Sequence, residues 1–218
     1  MLRKDISKIL ESKAEETSDF FFIQIGSGDG KKTDPIYDYV KKYKWKGILI
    51  EPVKSLYDEL KRNYKGFEEN LAFRNIAIDV EEGYKDFYRI SNISNNNVKK
   101  PFWYDQIGSL DKEIVLKHKD EIPGLEENLL KEKIRCISLN QLFKQEEVKK
   151  VNLLHLDVEG YDYKIIRSIN FNFVKPDMIL YEHKHLGEYN RVKCMEYLFN
   201  RGYVFIVQGD DTFAYKKA

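Results

Sequence analysis

Two apolar runs, each ending in chemically specific residues, constrain this chain more than anything else in it. Phe20-Phe21-Phe22-Ile23-Gln24-Ile25 runs into Gly26-Ser27-Gly28-Asp29-Gly30, and about twenty residues later Ile48-Leu49-Ile50 runs into Glu51-Pro52. A strand that ends in alternating glycines makes a turn whose bare backbone a ligand can touch. A second strand that ends in a carboxylate supplies an acceptor for the two hydroxyls of a ribose. The pair points to an α/β fold with a nucleoside-cofactor site at the carboxyl ends of its strands. Without a ligand, the same residues would make a tight strand-to-helix turn and an exposed strand-end charge.

The glycine spacing narrows the cofactor. It is Gly-x-Gly-x-Gly, and Lys31-Lys32-Thr33 intervene before Asp34-Pro35 opens the next helix. A pyrophosphate needs helix N–H groups directly after the turn. The Asp29 carboxylate suits the ammonium of an amino-acid cofactor better than it suits two phosphates.

A length of 218 residues accommodates one well-buried α/β domain over 1–218, with a helix within 1–19. Lys and Arg number 37 against 36 Asp and Glu, so the basic excess of a dedicated nucleic-acid binder is missing. No run approaches the roughly twenty apolar residues of a membrane span. The charged start Met1-Leu2-Arg3-Lys4-Asp5 lacks a signal-peptide core. A soluble, cytoplasmic protein with no nucleic-acid partner is expected. Cys136 and Cys194 lie far apart without Cys-x-x-Cys spacing and read as buried free thiols.

Helix-like and strand-like segments alternate, which predicts a mainly parallel sheet covered on both faces. The spacing predicts helices over 2–16, 34–43, 53–64, 139–143, 162–169 and 191–200. Strands are predicted over 20–25, 47–50, 72–78, 133–137, 151–156 and 178–181. Glu82-Gly83 signals a turn, so that 85–90 pairs back as a hairpin. Residues 91–100 read as a polar loop, and 203–208 with 212–216 as a terminal antiparallel hairpin.

Two more strand ends carry chemistry. Val151 to Leu156 runs out into Asp157-Val158-Glu159-Gly160, and Met178 to Tyr181 runs out into Glu182-His183-Lys184-His185. Asp157 and Glu159 could share a proton, hold a divalent cation, orient a hydroxyl, or cap the following helix. His155 reads as a core histidine. His183 or His185 titrates in the right range for a general base, and surface exposure explains them equally well. Zinc lacks a third nitrogen or sulfur donor, and no residue is assigned as a metal ligand.

In this order the pieces resemble the FkbM family of S-adenosylmethionine-dependent methyltransferases. They are Ile25-Gly26-Ser27-Gly28-Asp29-Gly30, Ile50-Glu51-Pro52, Asn75-Ile76-Ala77-Ile78, Gly108-Ser109-Leu110, Ile137-Ser138-Leu139, Leu156-Asp157-Val158-Glu159-Gly160-Tyr161-Asp162, Ile166-Arg167-Ser168 and Tyr181-Glu182-His183. The resemblance implies a single Rossmann-like class I methyltransferase domain, whose sheet ends in an antiparallel hairpin. It implies S-adenosylmethionine contacts at Gly26, Ser27, Gly28, Asp29 and Gly30, at Glu51 and Pro52, at Ala77, and at Asp157. It also implies transfer to a hydroxyl, often on a sugar or secondary metabolite.

Alignment of the acceptor behind the methyl group can supply on the order of 7–11 kcal/mol, and a positioned base about two to four further orders of magnitude. Asp157, Glu159, Glu182 and His183 are the candidate bases. A magnesium ion between Asp157 and Glu159 is the other route to an acidified hydroxyl, and base and metal stay open. Residues 91–132, with Phe102, Trp103 and Tyr104, are expected either as a lid and acceptor platform or as an aromatic anchor. The competing functions are a NAD-dependent oxidoreductase and a non-catalytic nucleoside-binding module.

Overall fold

The computed structural model describes residues 4–91 and 100–216. The first helix is Lys4–Glu16 (α1), followed by Phe21–Ile25 (β1), Tyr37–Tyr43 (α2), Lys46–Ile50 (β2), Lys54–Asn63 (α3) and Leu71–Arg74 (β3). Further on come Leu139–Gln145 (α5), Leu153–Leu156 (β8), Asp162–Ser168 (α6), Met178–Glu182 (β9), Gly187–Phe199 (α7), Tyr203–Gln208 (β10) and Asp211–Lys216 (β11). The elements α4 and β4–β7 lie between β3 and α5 and are given below.

Strand residues alternate between two apolar layers, which is why these runs are continuously apolar. Phe22, Leu153, Met178 and Leu180 join one cluster with Ile6 and Leu10 of α1. Ile23, Ile25, Leu154, Leu156, Ile179 and Tyr181 join the other, with Ile165 and Ile166 of α6 and Leu198 of α7.

The main sheet has the order β10-β11-β9-β8-β1-β2-β3. β1 pairs in parallel with β2 on one side and β8 on the other, for instance Ile25 opposite both Ile50 and Leu156. Strand order therefore reverses at β1, and the crevice at its carboxyl end is where open α/β sheets take ligands. The terminal hairpin is present, and β11 inserts antiparallel between β9 and β10. α7 begins at Gly187, a turn ahead of the expected 191. Cys136 and Cys194 are buried and free.

Residues 72–78, expected as one strand, are two. Asn75 Nδ2 donates to the carbonyls of Glu51 and Pro52, both at 2.8 Å, and turns the chain out of the main sheet. Ala77–Ile78 (β4) then pairs in parallel with Leu129–Ile137 (β7). Gly83–Ile90 (β5) does not fold back on β4, as the turn signal suggested. It pairs antiparallel with β7 along its whole length, from Gly83–Cys136 to Ile90–Leu129. A two-residue β4 offers too short a ladder for a hairpin, whereas β7 offers nine residues.

With Gly108–Ser109 (β6) these strands make a second sheet, β4-β7-β5-β6, at the mouth of the crevice. The loop expected over 91–100 falls, for residues 92–99, outside the described residues. Residues 100–128 contain a short 3-10 turn at Tyr104–Gln106 and a helix, Lys112–Leu116 (α4), capped by Asp111. Ile90, Ile107, Val115, Ile122 and Leu125 form a small apolar core of their own, and Trp103 packs against it. Ile122 has no exposed surface and does not line the crevice. Ile122→Ala should therefore cost about 2–5 kcal/mol in urea unfolding, from lost burial and the cavity left behind.

Candidate active site

The turn after β1 is held by backbone. The N–H groups of Gly26 and Ser27 both donate to the Ile50 carbonyl at 3.0 Å, and Asp157 N–H donates to the Ile25 carbonyl at 3.0 Å. Gly26 has φ +76°, and a Cβ there would lie 1.8 Å from the Asp157 carbonyl oxygen. No other residue fits. Ser27 Oγ accepts from Ile50 N–H at 3.1 Å and donates to the Gln24 carbonyl, fastening the turn to β2.

Glu51 ends β2 at 4 % exposure. Its Oε2 accepts the Gly28 N–H at 2.9 Å, and its Oε1 accepts the Val53 N–H at 2.8 Å. Burial pushes its carboxyl up to about 8, against those two hydrogen bonds, and nearby Asp157 raises it further.

Around this turn lies a cavity of about 390 Å³, within the range of small-molecule sites. Gly26, Ser27, Gly28, Glu51, Pro52, Ala77, Asp157, Glu159 and Glu182 all line it. Asp29 and Gly30 do not. Asp29 Oδ1 instead accepts the N–H groups of Lys31 and Lys32 at 2.9 and 2.7 Å, closing the loop on itself. Gly30 is packed under α3, where an added Cβ would meet Leu60 at 2.2 Å and Tyr64 at 2.8 Å. The carboxylate that faces the cavity from this loop is Asp34, which accepts from Gln24 Nε2 at 3.1 Å and whose carboxyl burial raises to about 6.

His183 is also turned away. Its Nδ1 lies 3.0 Å from Thr212 Oγ1, and both side chains are buried. The short 3-10 turn Lys184–Leu186 brings His185 to the cavity in its place. His155 is buried in β8, and burial lowers its imidazole to about 4, in keeping with a core residue.

One end of the cavity holds a group that the sequence does not show locally. His118, from the stretch after α4, is 4 % exposed, and its Nε2 lies 3.9 Å from Glu159 Oε2. His185 Nε2 lies 3.3 Å from the same oxygen and 3.9 Å from Glu182 Oε1. The two imidazoles meet edge to face at 5.1 Å, and Trp103 meets His118 at 5.6 Å. His118 sits among lysines with no pattern around it; its only sequence signal is that the chain has four histidines. Glu159 and Glu182 are both raised, first by burial and then by the Asp157 charge. Burial lowers both imidazoles, His185 to about 4.

The wall is strongly acidic. Among the described residues, Asp34, Glu51, Asp157, Glu159, Glu182, Asp210 and Asp211 line the cavity, against Lys32 and Lys184. Such a wall favours a cation and opposes a pyrophosphate.

The family model of the methyltransferase FkbM domain matches residues 24–205. The chain belongs to the FkbM methyltransferase family. Among solved structures, the FkbM methyltransferase of Methylobacillus flagellatus KT aligns at TM-score 0.55 and 10 % identity, over 90 % of this chain and 43 % of that one. The chain thus spans less than half of that protein. Fibrillarin pre-rRNA processing protein of Methanococcus jannaschii aligns at TM-score 0.47 and 14 % identity, over 91 % of this chain and 66 % of that one. An O-methyltransferase of Bacillus cereus, in complex with S-adenosylhomocysteine, aligns at 0.47 and 8 %, over 99 % and 83 %. A comparison with curated proteins finds no match.

The fold is that of the class I methyltransferases. No helix of the described residues is long and apolar enough to cross a membrane. The glycine turn after β1 is an exacting position, with Gly26 pressed against the Asp157 carbonyl. Gly26→Ala should lower the melting temperature by several degrees, because the added methyl must push the β1 turn off the Asp157 carbonyl; a thermal scan showing no loss would contradict the packing described.

Proposed function

We propose that this FkbM chain is an S-adenosylmethionine-dependent O-methyltransferase acting on a hydroxyl of a saccharide or another small hydroxylated metabolite. The observation that carries the reading is Glu51 beside the glycine turn in an acid-lined cavity. Each Glu51 oxygen accepts one backbone N–H and keeps lone-pair capacity for a ribose hydroxyl. Pro52, Val53, Ala77 and Ile78 line an apolar stretch beside it, suited to a flat base. Asp34 and Asp157 carry the negative charge that an amino-acid ammonium requires. The near-balanced charge of the whole chain favours a small acceptor over nucleic acid.

When bound, S-adenosylmethionine supplies a methyl group on a cationic sulfur, which leaves as a neutral thioether. The protein's part is to orient the acceptor and remove its proton. Glu182 is the base in this reading, because it ends β9 half-buried at the cavity. Burial and then the neighbouring carboxylates raise its carboxyl, and a cationic ligand beside it is what would restore the ionised form that accepts a proton. Glu159 and Asp157 orient the acceptor and the cofactor around it. Residues 100–128 wall the acceptor end, and Trp103 offers a surface on which a sugar C–H face can pack. Lys32 to Asp105, at 3.1 Å, ties this wall to the glycine loop.

Calorimetric titration tests the cofactor: S-adenosylhomocysteine should bind, NAD should not, and NAD binding alone would sink the proposal. Glu51→Gln should abolish measurable binding of S-adenosylhomocysteine.

The affinity should also depend on pH with a definite sign. The free carboxyl of Glu51 titrates near 8, and ribose hydroxyls stabilise its ionised form. Binding therefore releases a proton below that pH, so affinity should rise as pH climbs to about 8 and level off above it. A dependence that runs the other way, or that persists in Glu51→Gln, removes Glu51 from the role.

For the base, a labelled methyl donor should be assayed against a panel of hydroxylated saccharides. Glu182→Gln should lower kcat about 10²- to 10⁴-fold while S-adenosylhomocysteine still binds. Unchanged turnover would exclude Glu182. Cofactor binding that is indifferent to all acceptors, in wild type and variant alike, would favour the non-catalytic binding module.

A further inference from the structure

We propose that His118, Glu159 and His185 form a site for one divalent transition-metal ion at the acceptor end of the cavity. Three separate parts of the chain converge there: the stretch after α4, the turn after β8, and the 3-10 turn after β9. One donor atom from each lies within 4.8 Å of the others. Glu159 Oε2 is the hub, 3.3 Å from His185 Nε2 and 3.9 Å from His118 Nε2. Ligands on a tetrahedral ion stand about 3.4 Å apart, so the Glu159–His185 edge already fits and His118 needs to move only slightly.

Two further observations favour a ligand over a plain hydrogen-bonded cluster. Among the described residues neither ring nitrogen of His118 has a hydrogen-bond partner, although the residue is 4 % exposed. Buried polar groups are almost always partnered, and an imidazole aimed at a carboxylate and a second imidazole is placed to ligate. The backbone is also bent for the purpose. Glu159 has φ +51°, a conformation uncommon for a non-glycine residue, and Gly160 follows at φ +86°. That double left-handed turn sets Gly160 against the His185 carbonyl, where an added Cβ would lie 3.0 Å from the oxygen. The turn thereby brings Glu159 over His185.

The donors decide the metal class. Two imidazoles and one carboxylate suit zinc, manganese, iron, cobalt or nickel, whereas magnesium prefers oxygen ligands and keeps its waters. The ion therefore differs in place and kind from a magnesium between Asp157 and Glu159; Asp157 is not in the cluster. Three protein ligands leave coordination positions open toward the cavity. The role of those positions rests on the methyltransferase reading: they would take the acceptor hydroxyl and ease passage of its proton to Glu182, 3.9 Å from His185. The binding of the ion does not depend on that reading.

The test uses the full chain, stripped with chelator and titrated calorimetrically with zinc, manganese and magnesium chlorides in turn. Wild type should take one zinc or manganese ion, with magnesium much weaker. His118→Ala and His185→Ala should each weaken binding about tenfold or more, and S-adenosylhomocysteine titrations would report whether each variant keeps its cofactor pocket. Cobalt absorption bands of an ion held by nitrogen and oxygen ligands give a second readout on wild type alone. Absence of any ion binding, absence of those bands, or binding that survives both substitutions unchanged would overturn the site. If wild type binds metal but not S-adenosylhomocysteine, the methyltransferase reading falls and the metal site stands.

Discussion

The site hangs from one close approach of backbone to backbone. At Gly26 the end of β1 lies so near the Asp157 carbonyl that even a methyl group has no room. The same turn gives two N–H groups to the Ile50 carbonyl of β2. Three strand ends are thereby locked together, and each delivers its own side chain: the bare turn from β1, Glu51 from β2, and Asp157 with Glu159 from β8. Were β1 to end in any residue with a Cβ, the strands would separate and the carboxylates would no longer share a cavity.

The cavity that results concentrates like charge in a poorly hydrated space. Burial raises Glu51, Glu159 and Glu182, and Asp157 raises each of them further. Asp211, at the start of β11, is pushed up to about 7 for the same reasons. Assembling such a wall costs the fold stability, because each ionised carboxylate has lost water and gained a repulsive neighbour. Sites of this kind persist where a ligand offsets the charge. A sulfonium with an ammonium, and a divalent ion on His118, Glu159 and His185, are two cationic groups that would do so.

Much of this architecture is readable locally. Strands buried on both faces are continuous apolar runs, so β1, β2, β8 and β9 stand out, and the residues just past each of them are the ones that meet at the crevice. The second sheet is not readable in this way. β4 is two residues long, and its exit from the main sheet depends on Asn75 reaching the carbonyls of Glu51 and Pro52. The partner of β5 is β7, beyond residues 100–128, and no turn signal at Glu82-Gly83 can report a pairing at that distance. For the same reason the small core of Val115, Ile122 and Leu125 is invisible until the chain is folded.

Within the site the division is finer. The sequence alone determined the glycine turn, the strand-end acids and the family, because each is a property of contiguous residues whose spacing follows from strand geometry. Tertiary structure alone decided which of these face the cavity. Asp29 spends its carboxylate on its own loop, Gly30 is packed under Leu60 and Tyr64, and His183 is held by Thr212 while His185 turns inward. It also brought in His118, the third donor that no local spacing supplies, from a segment forty-one residues before Glu159. Side-chain direction at a strand end and contact between distant segments depend on where the chain turns and what packs behind it, and neither is encoded in the residues' own spacing.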